Sequence, residues 1–600
     1  MVTSRRVARQ SHRADRSRTR QRIGWCLLAI LVIVVAAATW VGARAYLAKQ
    51  ELDQALPLAT TIQTALLDGD SNAAVLSAGR LQDHSAQAAA LTSDPIWRVA
   101  EALPWLGANL AAVRQLAGVV DSVSQGVVGP LAEIAGVVDL DSFKPVDGVI
   151  DVQPMVAAQP QLRDAVAVLS TAVAQTRDIN TSETLEVVQN ATQNLDATLA
   201  TTLVSVEALN RAAQLLPAML GSDGPRNYVL MFQNPAELRS SGGITGALAL
   251  LHTENGQVSL VQQESTGSMP QYDSPVVQLD ADTRNLYGDI TGRYIQDVNL
   301  TPDFRQSGVL VAEMWRLAFG TAVDGVISLD PVALSYLLEA TGPITLPSGD
   351  VISSDNAVKL LLSDVYARFE RSADQDAFFA SAAASVFSAV AGGEADATKL
   401  AKALARAGDE HRVLVYSASE GEQALLADTT LAGGLPTSTP LEKNFGIYLN
   451  EAGGTKMDTY LDMALAVGQV SCRNDKRPEY GIEVVLTNTA PADAAASLSR
   501  YVTGGGMFGV SPGNIKTLIS AYGSPELQNL GVTRDGVKAP YLPATDAGYQ
   551  VSGITVELAP GESTVLRFGW LGAGPFVGSL SIQATPTVGL PAVEILKETC

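Results

Sequence analysis

The chain has 600 residues, of which 47% are hydrophobic and 17% are charged, and its formal net charge at pH 7 is −21. This length exceeds what one hydrophobic core usually organises, so the composition predicts a folded protein of several domains. The excess of acids argues against a general nucleic-acid-binding protein, and we expect no nucleic acid among its partners.

The N-terminus combines a basic tail with an apolar segment. Residues 1–22 carry eight arginines against one acid, and residues 23–43 carry no charge. A helix of that second length spans roughly 31 Å, about the thickness of a bilayer's hydrocarbon core, whereas the apolar run of a cleaved signal peptide, the alternative, is shorter. The pattern predicts a cytoplasmic tail over 1–22, a signal-anchor transmembrane helix over 23–43 and, by the positive-inside rule, an extracytoplasmic remainder.

Residues 44–220 have the composition of a helical region, because they are rich in alanine, leucine and valine and contain only four aromatic residues. Over 182–216, apolar residues and threonines follow alternating spacings of three and four, which is the a/d pattern of a heptad seam. Such a seam packs either within one chain as a bundle or against a second copy as a dimeric coiled coil. Its threonines and alanines favour the bundle, and the oligomeric state stays open.

The pattern changes at Gly221. Strand-like apolar runs alternate with helical segments over 221–440, which predicts a central α/β domain. Over 441–600 the apolar residues alternate with a period of two, which is typical of an antiparallel, β-sandwich-like domain. The predicted architecture is therefore multidomain, with a transmembrane helix, an all-α stalk or bundle, a central α/β domain and a C-terminal β domain.

Cys472 and Cys600 are the cysteines predicted to lie outside the cell, since Cys26 falls within the apolar segment. An oxidising compartment permits the two to form a disulfide. The bridge would close a loop of about 129 residues and stabilise the fold by roughly 4–5 kcal/mol on the chain-entropy model. Two free thiols are the alternative.

The central region is rich in arginine and nearly free of lysine. Residues 221–372 contain eight arginines and one lysine, whereas residues 373–600 contain seven arginines and eight lysines. The planar guanidinium suits phosphate and carboxylate groups, so this region is a candidate site for an anionic ligand. The candidate residues are Arg239, Arg293 and Arg305, with Gly242 and Gly243 allowing a backbone to approach the ligand closely. The alternative is that the arginines form ion pairs within an acidic domain.

Asp297 and Asp303 are hard oxygen donors that could hold Mg²⁺ beside a bound phosphate. No other cofactor is predicted, because His252 and His411 lack the metal-spaced Cys or His neighbours of a zinc site. Whether the chain is an enzyme stays open at this point.

Several segments resemble a known family. They are NYVLMFQNPAELRSSGGITGALALLHTENGQVSL (227–260), DVNLTPDF (297–304), VDGVISLDPVALSYLLEATGPITLPSGDVISSDNAV (323–358), DPIWRVAEALPWLGANLAAVRQL (94–116) and LNEAGGTKMDTYL (449–461). These segments are similar to a large actinobacterial family of membrane-anchored proteins that is recorded only as a domain of unknown function. The resemblance implies a place in the cell envelope and no established activity.

A more distant likeness is to the LytR-CpsA-Psr proteins. It rests on the order of a strand, an arginine-bearing loop, a strand hairpin, a long loop, a helix and a strand resembling VDGVISL. This likeness implies a LytR-CpsA-Psr-like central domain that binds polyprenyl-pyrophosphate-linked glycopolymer and transfers it to the cell wall, with Arg239 on the phosphate. QESTGSM (263–269) occupies the place of that family's serine-isoleucine-proline-arginine-aspartate motif, so a non-catalytic relative is the alternative.

Two functions follow from these observations. The first is binding or scaffolding in the cell envelope, with the central domain recognising an anionic ligand or partner such as a cell-wall glycopolymer or a polyprenyl-phosphate lipid. The second is a phosphotransferase that attaches lipid-pyrophosphate-linked glycopolymer to the wall. In that case Arg239 and Arg305 would contact the pyrophosphate, and Asp297 or Asp303 would hold Mg²⁺.

Overall fold

A computed structural model of the chain describes residues 7–67, 70–135, 144–146, 148–471 and 473–596. The chain divides into two compact units, which we call the helical unit (Met1–Asp139 and Gln153–Gln214) and the sheet unit (Leu140–Val152 and Leu215–Cys600). The predicted order of a helical region, a mixed α/β region and a sheet-rich region is confirmed. The predicted domain boundaries remain predictions.

The helical unit is built from α-helices. They are α1 (Val7–Leu67), α2 (Ser71–Thr92), α3 (Pro95–Ala100), α4 (Gly107–Val123), α5 (Gly129–Ala135), α6 (Gln153–Arg177) and α7 (Glu186–Met219), with a π-helix over Ser124–Val128. Within α1, Arg22–Ile62 is long and apolar enough to cross a membrane, judged by length and composition. The helix predicted over 23–43 is therefore present, and it continues beyond both predicted ends.

Helices α1 and α2 pack antiparallel. Arg44 of α1 donates to the carbonyl oxygens of Ala90 and Leu91, each at 3.2 Å. Further along α1, Glu51 Oε2 lies 2.6 Å from His84 Nδ1 of α2. Both contacts fit the same antiparallel alignment of α1 and α2. The two helices are therefore side by side between the level of Arg44 and the level of Glu51.

The heptad seam predicted over 182–216 packs inside the helical unit. Leu199 and Val206 of α7 belong to one buried cluster with Leu162 and Leu169 of α6. The seam therefore contacts other helices of the same chain, as an intramolecular bundle requires.

The first part of the sheet unit is an α/β layer. Its strands are β1 (Arg226–Arg239), β2 (Gly242–Glu254), β3 (Gln257–Ser265), β4 (Gly325–Leu329), β5 (Ile344–Thr345), β6 (Val351–Ile352) and β7 (Val413–Ser417). The main sheet has the order β3-β2-β1-β4-β7, in which β1 and β4 run parallel and the other neighbours antiparallel. Its helices are α8 (Ala281–Tyr287), α9 (Phe304–Phe319), α10 (Pro331–Thr341), α11 (Ala357–Lys359), α12 (Val365–Arg368), α13 (Ser372–Ala391), α14 (Ala397–Asp409) and α15 (Glu420–Leu426), with a π-helix over Leu360–Asp364.

Helix α9 covers one face of this sheet. Val229 and Met231 alternate along β1 and belong to one buried cluster with Leu310 and Trp315 of α9. This alternation explains why a run of apolar residues in β1 forms a strand: every second side chain faces the helix.

The second part of the sheet unit pairs two sheets. Its strands are β8 (Glu442–Glu451), β9 (Leu461–Ser471), β10 (Glu479–Asn488), β11 (Ile515–Gly523), β12 (Gln528–Arg534), β13 (Val537–Lys538), β14 (Leu542–Asp546), β15 (Tyr549–Leu558), β16 (Ser563–Leu571), β17 (Ser579–Ala584) and β18 (Val593–Ile595), with short helices α16 (Ala494–Ser497) and α17 (Arg500–Thr503). The sheet orders are β13-β12-β16-β10-β9-β18 and β14-β15-β11-β8-β17. Phe445, Ile482, Ile519 and Trp570 from the two sheets share one core, as in a β-sandwich.

Cys472 and Cys600 lie outside the described residues, so the disulfide between them remains a prediction. Cys26 lies on α1 as a free and exposed thiol.

We expect Gly308→Ala to destabilise the sheet unit by about 1–3 kcal/mol, because the added methyl group of α9 would overlap the side chain of Tyr416 in β7. Gly421→Ala in α15 is the matched control. Its added methyl group meets only the Ser419 hydroxyl at ordinary contact distance, so we expect a gain of about 0.5–1 kcal/mol from helix propensity. Denaturant unfolding of the wild-type chain and of both variants measures the two changes in stability. Equal stabilities for the two variants would contradict the packing of Gly308 against Tyr416.

Candidate functional site

Arg239, Gly242 and Gly243 lie at the turn between β1 and β2, where Arg239 pairs with Gly242. Gly242 has a φ of 138°, in the region that favours glycine. A Cβ atom on Gly242 would collide with the side chain of Gln233, and one on Gly243 with the backbone of Asn234. The close approach that these glycines allow is to β1 itself, and an approach to a ligand stays a prediction.

The guanidinium of Arg239 is enclosed by acids, and its side chain is only 8% exposed. Nη2 lies 3.2 Å from Glu237 Oε1 and 3.3 Å from Asp297 Oδ1, and Nη1 donates to the carbonyl oxygen of Leu238. Burial raises the pKa of Asp297, and Arg239 opposes that rise. Two of the predicted site residues, Arg239 and Asp297, therefore belong to one ion-pair group.

Lys456 adds a second cation to this group from the loop after β8. Its Nζ lies 3.1 Å from Glu237 Oε2. The same atom lies 5.6 Å from the ring centroid of Tyr366 and 5.5 Å from that of Tyr501. Burial raises the pKa of Glu237, but Lys456 and Arg239 together lower it by more than burial raises it, so the net pKa is below its ordinary value. Burial lowers the pKa of Lys456, but Glu237, Tyr366 and Tyr501 together raise it by more, so the net pKa is above its ordinary value. Both groups are therefore charged.

Two more carboxyl groups line the same region. Asp458 Oδ2 accepts a hydrogen bond from the backbone N–H of Leu238 at 2.7 Å, and Glu451 accepts from those of Gly453 and Gly454, both at 2.7 Å. Burial and neighbouring acids raise the pKa of each carboxyl, and that of Asp458 lies well above its usual range. We call these six residues the charge cluster: Glu237, Arg239, Asp297, Glu451, Lys456 and Asp458.

Arg293 and Arg305 have other partners. Arg293 Nε donates to the carbonyl oxygen of Tyr272 at 2.8 Å. Arg305 is half exposed and its Nη2 lies 2.7 Å from Asp303 Oδ2, while Asp303 also caps the first turn of α9. These three predicted site residues therefore lie in surroundings different from the charge cluster.

Asp303 borders an acidic pocket of about 330 Å³ together with Asp280, Asp282 and Asp546. Burial, reinforced by the other three aspartates, raises the pKa of Asp546 to about 6, although the hydrogen bond that Tyr522 donates to it opposes the rise. In the part of the chain that the structure describes, no group of three or more His, Cys, Asp or Glu side chains is arranged to hold a metal ion. The magnesium site remains a prediction.

A second pocket, of about 280 Å³, lies between the main sheet and α13, and we call it the apolar pocket. Phe232 and Ala247 line it from the sheet, and Leu361, Phe379 and Ala383 line it from the helices. Its volume is close to the lower end of the roughly 300–1,000 Å³ found for small-molecule pockets. Leu361 belongs to a π-helix, a rare element that often occurs at functional sites.

Gln233 also lines the apolar pocket, and it is 2% exposed. Its Nε2 has no hydrogen-bond partner among the described residues. A buried donor left unpaired costs about 1–3 kcal/mol. The Nε2 atom is itself buried, so a ligand oxygen would reach it only after the amide turns toward the pocket. The charged residues that line the pocket in the described structure are acids: Glu264, Asp330 and Asp376. The pocket is thus suited to an uncharged hydrocarbon chain.

Sequence reasoning missed Lys456, Glu451 and Asp458 as partners of Arg239. All three lie in LNEAGGTKMDTYL (449–461), a segment that carries the family resemblance although it lies outside the region considered for the anionic site. That resemblance was the available signal. The apolar pocket left no such signal, because alanine and leucine occur throughout the chain.

We expect Arg239→Met to destabilise the sheet unit by about 3–5 kcal/mol, because it leaves Glu237 and the partly buried Asp297 without the cation that they share. Arg305→Met is the matched control. Its side chain is 50% exposed, so the loss of its pair with Asp303 should change stability by less than about 1 kcal/mol. Denaturant unfolding compares the two, and a small effect of Arg239→Met would contradict a structural role for the charge cluster.

Asp546→Asn should stabilise the sheet unit at about pH 8 and leave it unchanged at about pH 4. The folded chain releases the Asp546 proton at a pKa of about 6, above the value of about 3.9 in an unfolded chain, so the wild type loses stability as the pH rises between these values. The shift corresponds to roughly 3 kcal/mol. Thermal unfolding of both chains across this range measures the difference, and a gain independent of pH would contradict the raised pKa.

Residues 223–366 match the model of a family described as Protein of unknown function (DUF4012). The match contains the turn at Arg239 and the β1 and β2 walls of the apolar pocket, and it confirms that part of the sequence resemblance that pointed to a domain of unknown function. A search of curated proteins and a search of solved structures each gave no match. The chain thus shares with that family a segment without an assigned activity.

Proposed function

We propose that this chain is a single-pass, membrane-anchored protein of the cell envelope, with its N-terminus in the cytoplasm and its sheet unit outside, where it binds an apolar ligand. The apolar stretch of α1 supports the anchor. The eight arginines that precede this stretch support the orientation, because basic residues are retained on the cytoplasmic side.

The apolar walls of the pocket carry the binding proposal, because they suit a hydrocarbon chain. Gln233 also lines the pocket and its Nε2 is unpaired among the described residues, so this amide, once turned toward the pocket, would donate to an oxygen acceptor such as a hydroxyl, ester or ether group. Membrane lipids have both features. A membrane anchor would keep the pocket near a supply of them.

Binding of an anionic ligand by the arginines has less support, and so does phosphoryl transfer. Arg239 would have to exchange Glu237 and Asp297 for a phosphate, and Arg305 would have to leave Asp303. A magnesium-assisted transfer of lipid-pyrophosphate-linked glycopolymer would need these groups around one pyrophosphate. We therefore favour binding over transfer.

A photoreactive ligand tests the proposal. The full chain, reconstituted in phosphatidylcholine vesicles, is irradiated with a long-chain alcohol that bears a diazirine on its hydrocarbon chain, and adducts are mapped by peptide mass. We expect adducts on peptides that contain Leu361 and Phe379. Ala383→Phe, which fills the pocket, should reduce them about ten-fold, equivalent to roughly 1.4 kcal/mol of binding. Ala373→Phe, on the exposed start of the same helix, should leave them unchanged.

An alkane of equal length with the same diazirine separates the two parts of the site. Gln233→Met should weaken labelling by the alcohol and leave labelling by the alkane unchanged, because it removes the donor and keeps the volume. Adducts that are insensitive to Ala383→Phe would overturn the pocket as the binding site. Equal effects of Gln233→Met on both probes would overturn the role of the amide.

A further inference from the structure

The loop between α2 and α4 exposes an unusual number of apolar side chains. They are Ile96, Val99, Leu103, Trp105 and Leu106, and Trp105 is 92% exposed. Single exposed apolar residues are normal, but five within eleven residues form a patch of the kind that contacts a partner or a membrane.

An ion pair connects this loop to α1 where its uncharged residues 23–43 end. Arg44, the first charged residue after them, places its Nε 3.1 Å from Asp94 Oδ2. The guanidinium of Arg44 also lies 4.9 Å from the ring centroid of Trp40, an aromatic residue of the kind found where helices leave a bilayer. The loop therefore begins at the level where α1 would leave the hydrocarbon core.

Asp94 also fixes the direction of the loop. Its Oδ1 accepts hydrogen bonds from the backbone N–H groups of Ile96 and Trp97 and so caps α3. The Trp97 ring is buried, and its Nε1 donates to the carbonyl oxygen of Leu110 at 3.0 Å. One tryptophan thus holds the base of the loop in the helical unit while Trp105 stays outside it.

The conformation that exposes Trp105 is strained and held in place. Its φ is 71°, a value that bulky residues rarely adopt. Asn109 donates to the carbonyl oxygen of Trp105 at 3.1 Å, and Arg114 forms a two-point ion pair with Glu101 at 2.6 and 3.1 Å. These contacts hold the backbone in the conformation that exposes the indole ring.

We propose that residues 95–106 form a second membrane contact, in which Val99, Leu103, Trp105 and Leu106 enter the headgroup region of the bilayer beside Arg44 of α1. The inference rests on the proposed membrane anchor. An indole ring is suited to this depth because its apolar body faces the chains and its N–H faces water. Arg98, exposed and without a carboxylate partner in the described residues, would lie near lipid phosphates.

Site-specific photo-crosslinking tests this contact. The full chain is prepared with p-benzoylphenylalanine in place of Trp105, Val34 or Leu76, reconstituted in vesicles of phosphatidylcholine and phosphatidylglycerol, and irradiated. Val34 lies in the apolar stretch and reports on the anchor. Leu76 is 67% exposed, but it lies about 24 Å before the end of α2, so it serves as the apolar control away from the bilayer.

We expect lipid adducts from positions 34 and 105, and at position 76 less than about a tenth of their yield. Adducts at 34 but no more at 105 than at 76 would overturn the membrane contact and leave the anchor in place. No adducts at 34 would overturn the anchor itself. If position 105 crosslinks to a protein in place of lipid, the loop is a protein-binding surface and the proposal is wrong.

Discussion

The sheet unit depends on the carboxylate of Glu237, which lies between two cations, Arg239 and Lys456, that are far apart from each other in the sequence. Arg239 belongs to the same strand, whereas Lys456 belongs to the loop after β8. A buried charge is stable only while it is paired, so each of these three residues requires the other two. Hydrogen bonds to the main chain of β1 and the turn after it join the same two regions. Asp458 accepts one from the N–H of Leu238, and Asn450 accepts one from the N–H of Ser240. The end of β1 is thus held by the β-sandwich at both the charged groups and the main chain.

This constraint extends to the apolar pocket, because Gln233 and Asn234 are on the same strand as Glu237. The glycine at 242 packs against Gln233, so a larger residue at position 242 would displace this amide side chain. The charge cluster and the apolar pocket therefore share strand β1, although no residue of the cluster lines the pocket.

Periodicity predicted the elements of this chain well, and it did so for a physical reason. Helices and strands are recognised from neighbours in sequence, such as the seam over 182–216 or the alternation at Ile482 and Val484. Ion pairs depend on which residues meet after folding. Arg305 and Asp303 are two residues apart and their pairing was within reach of sequence reasoning, while Arg239 meets acids that include Asp297, whose position only the fold determines. The alternative of internal ion pairs for the arginines agrees with these contacts.

The pairing of α1 with α2 sets the level of residues 95–106. Arg44 is opposite Ala90. The chain therefore leads away from Arg44 along α1 and comes back to the level of Arg44 along α2. Residues added in equal number to both arms would move the connection between the helices outward, but the contact between Arg44 and Asp94 would stay where it is. The position of residues 95–106 relative to Arg44 is therefore independent of the length of the α1–α2 helix pair.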